Sequence, residues 1–146
     1  MLSFDSAFGY VGLVAIEHLI VCLYFSFRVG GARKKWKIGY PTMYARPGDG
    51  KCTTKKDADL FNCVQRAHQN LLENTPTFLT LLFLAAIKYP LYTAIGGQVY
   101  VASRFFYALG YCTGDPEKRH RGSFGYIGLI AMLGMAIHSC YSIITA

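Results

Sequence analysis

The chain has 146 residues, room for one domain of ordinary size. It is 53% hydrophobic and only 16% charged, against about 25% charged in soluble domains, which excludes disordered, collagen-like and disulfide-scaffold classes. The net charge of +7 is badly mixed: residues 6–27 hold one charge (Glu17), 74–103 hold only Lys88, and 122–146 hold none. A soluble helical protein needs a polar stripe on each surface helix. These windows lack one, so the sequence reads as a small polytopic membrane protein.

About 20 residues cross the hydrocarbon core, and the first helix fits 8–29. The N-terminal stretch MLSFDSAFG has no basic segment, so this span is expected to be a retained anchor, not a signal peptide. Residues 30–58 are rich in Gly, Pro, Lys and Arg and read as an exposed loop. The apolar run from Thr75 to Ile87 is too short to span alone, so the second helix is placed at 60–88. Its first half is polar, and Pro76 between the halves is predicted to kink it. The short Lys88-Tyr89-Pro90 link makes a third helix, 91–112, its antiparallel neighbour. Asp115-Pro116-Glu117 offers an N-cap, an N1 proline and an acidic first turn, so the fourth helix is placed at 116–145 with Arg119 in its first turn. The expected fold is all-α, a single four-helix transmembrane bundle over 1–146.

Nine of the 15 Lys and Arg fall between Arg28 and Lys56, and Lys118, Arg119 and Arg121 form a second cluster. Under the positive-inside rule both loops are cytosolic, with the termini and the 2–3 turn on the far side. The same distribution argues against nucleic acid as a partner. Five cysteines without C-x-x-C spacing suggest neither a disulfide framework nor a zinc site. His68, His120 and His138 have no metal-ligand spacing.

Ionisable groups inside a bilayer are costly and by default mark function. Arg66, Asn70 and Glu73 stand at i, i+4 and i+7, one face of the second helix. Tyr100, Arg104, Tyr107 and Tyr111 form a matching stripe on the third. Both lie towards the cytosolic side and would line one polar pocket there. Blander readings stand beside this one. Glu73 could simply pair with Arg66 or Arg104, and Tyr107 and Tyr111 could be interface aromatics. Arg33-Lys34-Lys35 could anchor to headgroups, and Glu17 and His18 are read as structural. Arginines suit planar carboxylates, Glu73 suits an ammonium, and positive potential favours a thiolate. A small zwitterionic peptide with two carboxylates, one ammonium and one thiol would use every part.

Residues 61–76, FNCVQRAHQNLLENTP, carry R-A-x-x-N-x-x-E followed by proline, as Arg66, Ala67, Asn70, Glu73 and Pro76. With 104–122 and 32–44 they closely resemble the family of membrane-associated proteins in eicosanoid and glutathione metabolism, especially its microsomal glutathione S-transferase 3 branch. The resemblance implies a homotrimer of four-helix chains with glutathione as co-substrate, held between neighbouring subunits. By matching positions, glutathione would be bound by Arg66, Asn70, Glu73, Arg104, Tyr107 and Tyr111, and by Arg33 from the adjacent subunit. The thiolate-stabilising arginine falls in the 3–4 loop. Gapless counting from Tyr111 reaches Lys118 and a one-residue shift reaches Arg119; Arg119 is favoured because a guanidinium stays charged and aims two donors.

The implied activity is glutathione transfer to lipophilic electrophiles, with glutathione peroxidase action on lipid hydroperoxides. It leaves open leukotriene C4 synthase activity. The implied location is the endoplasmic reticulum membrane or the mitochondrial outer membrane, with membrane lipid around the chain. Two other readings remain: a non-catalytic lipid-binding scaffold of the same family, and an unrelated channel or transporter, disfavoured because no helix is polar along its whole length. The chain departs from the family pattern at Asn74 and His68, and 48–58 lengthens the first loop.

Overall fold

The computed structural model describes residues 6–145. Residues 1–5, part of the stretch that bears on the retained anchor, and Ala146 lie outside the described residues. Four α-helices run in sequence: α1, Phe8–Trp36; α2, Lys55–Ala86; α3, Pro90–Tyr111; and α4, Gly125–Ile144, with a 3-10 helix at Pro116–Gly122 before α4. α2 and α3 pack on each other, and each also packs on both α1 and α4. The architecture is a helical bundle. Its core holds Val11, Phe25, Leu71, Phe78, Leu82 and Met132, all fully buried.

The outside is apolar as well. Leu13, Ile16, Leu19 and Ile20 on α1 and Ile127, Ile130 and Ile137 on α4 are more than half exposed. α1 and α4 are each long and apolar enough to cross a membrane. An exterior of this kind is solvated by lipid rather than water.

Several helix ends differ from the expectation. α1 runs on to Trp36, not 29. Gly30 and Gly31 do not break it, Arg33, Lys34 and Lys35 fill its last turn, where cations favour the helix dipole, and Lys37 closes it in the left-handed conformation (φ 53). α2 starts at Lys55, not 60, because Thr54 and Asp57 form a capping box: each side chain accepts from the other's backbone N–H. It continues through Pro76 to Ala86. The cap at Asp115 is real, its side chain accepting from the Glu117 N–H, but it opens the 3-10 helix. α4 begins only at Gly125, so Arg119 precedes it rather than lying in its first turn.

The loop therefore spans only 37–54, and it is folded. Trp36, Ile38, Ala45, Cys52 and Phe61 bury a second small core. The Lys51 N–H donates to Trp36 O at 2.7 Å. Gly50, at φ 53, permits that approach: a Cβ there would lie 2.4 Å from Trp36 O. Residues 48–52 thus return the chain to the end of α1, and 54–57 cap α2. That accounts for most of the loop's added length.

α3 and α4 meet through small residues. A Cβ on Gly125 would lie 1.8 Å from Ser103 Oγ, and one on Gly128 2.3 Å from Gly96 O. Such close backbone approach is how membrane helices gain packing where lipid offers no hydrophobic drive. It fixes the start of α4 against the second half of α3.

Candidate functional site

One turn of α2 is tied to both of its neighbours. Asn74 Nδ2 donates to Asn70 O at 2.8 Å, and Thr75 Oγ1 donates to Leu71 O at 2.9 Å. With its own proton committed, Thr75 Oγ1 accepts from His18 Nε2 at 2.9 Å. The His18 ring packs on Phe78, centroids 4.7 Å apart. His18 is thus a buried link between α1 and α2. Glu17, on the outer face, accepts from Gln98 Nε2 of α3 at 3.0 Å.

This turn presents Asn70 to α3. Arg104, 6% exposed, donates from Nη1 to Asn70 Oδ1 at 3.1 Å. Its guanidinium lies 4.4 Å from the Tyr107 ring centroid and 5.5 Å from that of Tyr100, both cation–π distances. A buried cation held by one amide and two ring faces keeps hydrogen-bonding capacity in reserve. Asn70, Asn74, Arg104 and Tyr107 form one wall of a cleft of about 290 Å³, and Arg119, His120, Ser123 and Tyr126 form the other.

Arg119 reaches this cleft from the 3-10 helix. Its Nη1 donates to Pro116 O at 3.1 Å and lies 3.6 Å from Glu117 Oε1. Lys118 is ion-paired to Asp115 at 3.5 Å and does not line the cleft. Of the two loop cations, Arg119 is the one beside Arg104.

The other expected residues are distributed differently. Arg66 and Glu73 pair with each other on the α2 surface, 38% and 52% exposed, the blander arrangement anticipated for Glu73. Arg66 and Tyr111 line a second cleft of about 340 Å³ with Tyr44, Asn62 and Asp59. Tyr111 stacks on Tyr107, centroids 5.8 Å apart, so the two clefts adjoin. Residues expected to share one pocket fall into two neighbouring ones, and Glu73 lines neither.

Arg33 is not a loop residue. It lies in the last turn of α1, 7% exposed, and donates to Thr42 O at 2.8 Å and to Gly39 O and Gln65 Oε1 at 3.4 Å. Its guanidinium also stacks 4.3 Å from the Tyr40 ring centroid. Within its own chain Arg33 clamps the 37–54 loop.

Sequence reasoning passed over His120, Ser123 and Tyr126 as cleft residues. Their i, i+3, i+6 spacing into the charge-free span was the available signal. Asn74, noted only as a departure from a pattern, is a wall residue four positions after Asn70. The five cysteines are free; burial pushes the Cys112 thiol, just past the end of α3, up to about 11, the reverse of a reactive thiol. Among the described residues no cluster of His, Cys, Asp or Glu could hold a metal.

Chemically, the first cleft sets two guanidiniums around a small polar volume beside lipid-facing helix. It suits an anion, or an acid that becomes one on binding. A sequence profile described as the MAPEG family matches residues 11–141. The chain is 31% identical over 128 residues to microsomal glutathione S-transferase 2 of Bos taurus, covering 84% of this chain and 79% of the relative. The human protein of the same name is also 31% identical over 128 residues, covering 84% and 78%. That of Mus musculus is 32% identical over 124 residues, covering 83% and 76%.

Proposed function

The chain belongs to the MAPEG family, and from that premise we propose that it is a membrane-embedded glutathione transferase. The observation that carries this reading is the cleft joining Asn70, Arg104 and Tyr107 to Arg119. Glutathione is the co-substrate, and a lipophilic electrophile reaches it from the bilayer. The transferase reading is supported by the relatives' name. Peroxidase action on lipid hydroperoxides, leukotriene C4 synthesis and a place in the endoplasmic reticulum or outer mitochondrial membrane extend it as proposals.

The proposed chemistry needs no protein nucleophile. Arg104 and Arg119 give the cleft a positive potential that favours the thiolate of glutathione over its thiol. Asn70 holds Arg104 in place, and Tyr107 shields its face. The thiolate attacks an electrophilic carbon, displacing its leaving group, or the terminal oxygen of a hydroperoxide, where the O–O bond breaks to release an alkoxide and a glutathione sulfenic acid, which a second glutathione converts to the disulfide and water. Arg66 and Tyr111, in the adjoining cleft, with Glu73 paired to Arg66 outside it, take the charged ends of the tripeptide: guanidinium to carboxylate, carboxylate to ammonium.

A homotrimer fits this scheme. Glu17, half-buried, and Gln98, exposed, are bonded to each other on the outer face of the span, where hydrocarbon would leave a carboxylate poorly solvated. A second copy against that face would cover them. Arg33 as a ligand from the neighbouring chain would have to release its own loop, so we assign it to the loop first. The scaffold alternative would leave Arg104 and Arg119 without a task.

Titration of the purified protein in detergent with glutathione, followed by thiolate ultraviolet absorbance, tests the reading. Binding with thiolate formed at neutral pH is the expected result, and conjugation to an aryl chloride should accompany it. Binding without thiolate would sink the catalytic role and favour the scaffold.

A further inference from the structure

The cleft holding Arg104 and Arg119 has one wall that thiolate formation leaves unused, the first turn of α4. Tyr126 lines the cleft from that turn. Its backbone is held firmly, since α4 enters against α3 through Gly125 and Gly128, with no room for a Cβ at either. Ser123, whose hydroxyl makes no hydrogen bond among the described residues, precedes α4 and lies off its lipid-facing turn, and the other side chains there are engaged. Tyr107 lies against Arg104 and Tyr111, Arg119 bonds to Pro116 O, and His120 stands 3.5 Å from Glu117. The Tyr126 hydroxyl makes no hydrogen bond with any described residue. Beside it on α4, Ile127 and Ile130 are 71% and 67% exposed. Tyr126 therefore stands at the border between the charged cleft and the lipid-facing helix, where a lipophilic substrate must meet the thiolate.

We propose, resting on the glutathione-transferase reading, that Tyr126 is the proton donor to the oxygen released when the thiolate opens a lipophilic epoxide. The sulfur lone pair forms the S–C bond as the C–O bond breaks. The oxygen keeps the bonding pair and takes the phenolic proton, giving a hydroxy thioether and a Tyr126 phenolate. Water at the cleft mouth returns a proton to the phenolate. A phenol is a far stronger acid than the alcohol that its proton creates. A positioned acid of this kind contributes about 10²–10⁴-fold. An aryl chloride needs no such help, because chloride leaves without a proton.

The experiment compares full-length wild type and Tyr126→Phe in detergent, with glutathione and either styrene oxide or 1-chloro-2,4-dinitrobenzene. The change removes one oxygen from a residue 62% exposed. The kcat for styrene oxide should fall about 100-fold relative to the kcat for the aryl chloride. An equal fall on both substrates would make Tyr126 a packing residue and overturn the proposal, as would an unchanged epoxide rate. Wild-type turnover of the aryl chloride with none of the epoxide would overturn it too, leaving the transferase reading intact. Turnover of neither substrate by wild type would sink that reading itself.

Discussion

Removing the Arg119 guanidinium should raise the pKa of a thiol bound in the Arg104–Arg119 cleft. Opposite unit charges about 4–5 Å apart attract by about 3–4 kcal/mol at an effective dielectric of about 20. Arg119 falls short of that limit. Its side chain is 37% exposed, and Glu117 lies 3.6 Å away, so water and a carboxylate offset more than half of its effect. What remains is about 1.4 kcal/mol, or one pKa unit. In Arg119→Ala the bound thiol should therefore titrate about one unit higher, with roughly tenfold less thiolate at neutral pH. Turnover at neutral pH should drop by a similar factor and recover as the pH is raised, since Arg104 still occupies the cleft. Thiolate absorbance of the glutathione complex across pH reads the shift directly. Lys118→Ala is the comparison, because Lys118 is paired to Asp115 and lies outside the cleft. A thiol pKa unmoved by Arg119→Ala, or moved as far by Lys118→Ala, refutes the electrostatic argument.

Arg33→Ala should strip Thr42 O and Gly39 O of their donor and cost about 1–3 kcal/mol, seen as new protease cleavage within 37–54 while the thiolate pKa stays put. Lost glutathione affinity with an intact loop would instead favour its role towards a neighbouring subunit. Gly128→Ala places a methyl 2.3 Å from Gly96 O, backbone that cannot swing aside, and should destabilise the bundle by about 1–3 kcal/mol; an unchanged Tm in detergent would contradict the close α3–α4 contact. Thr54→Ala removes the α2 cap at about 1 kcal/mol. The Thr54 hydroxyl and N–H hold the Asp57 carboxyl below its usual 3.8, so the cap's contribution is complete above that pH and fades as the pH falls through the lowered native value. The Tm gap between wild type and Thr54→Ala should accordingly close on acidification, and a gap that widened would reverse the sign of this linkage.

The charge-poor windows made the bundle legible, because a lipid-facing helix leaves nowhere for charges to go. The helix ends were harder. Gly30 and Gly31 read as breakers, each costing about 1 kcal/mol against alanine. Burial of Trp36 and Arg33 one turn later carries α1 through them. Thr54-x-x-Asp57 is a sequence signal for a helix start that was masked by the lysines around it. Asp115-Pro116 marked a true cap, but the chain after it winds as a 3-10 helix because Gly122 must pass Ser103 O and Tyr107 at close range.

The site divides along the same line. Asn70 and Arg104 could be set on matching stripes from their spacing, since the members of each stripe share one helix face. A face is not a pocket, however. Two residues seven positions apart, such as Arg66 and Glu73, can reach one another along the surface and satisfy each other without a third partner. Which members of a stripe line a cleft depends on what crosses opposite them. Here the crossing wall is the 3-10 helix and the first turn of α4, with Arg119 and Tyr126. Arg119 belongs to no periodic stripe, since it follows a turn, and Tyr126 opens a charge-free span where a tyrosine reads as an interface aromatic. Periodicity exposes the groups one helix contributes, whereas the chemistry depends on the segment with no period that brings them a second cation.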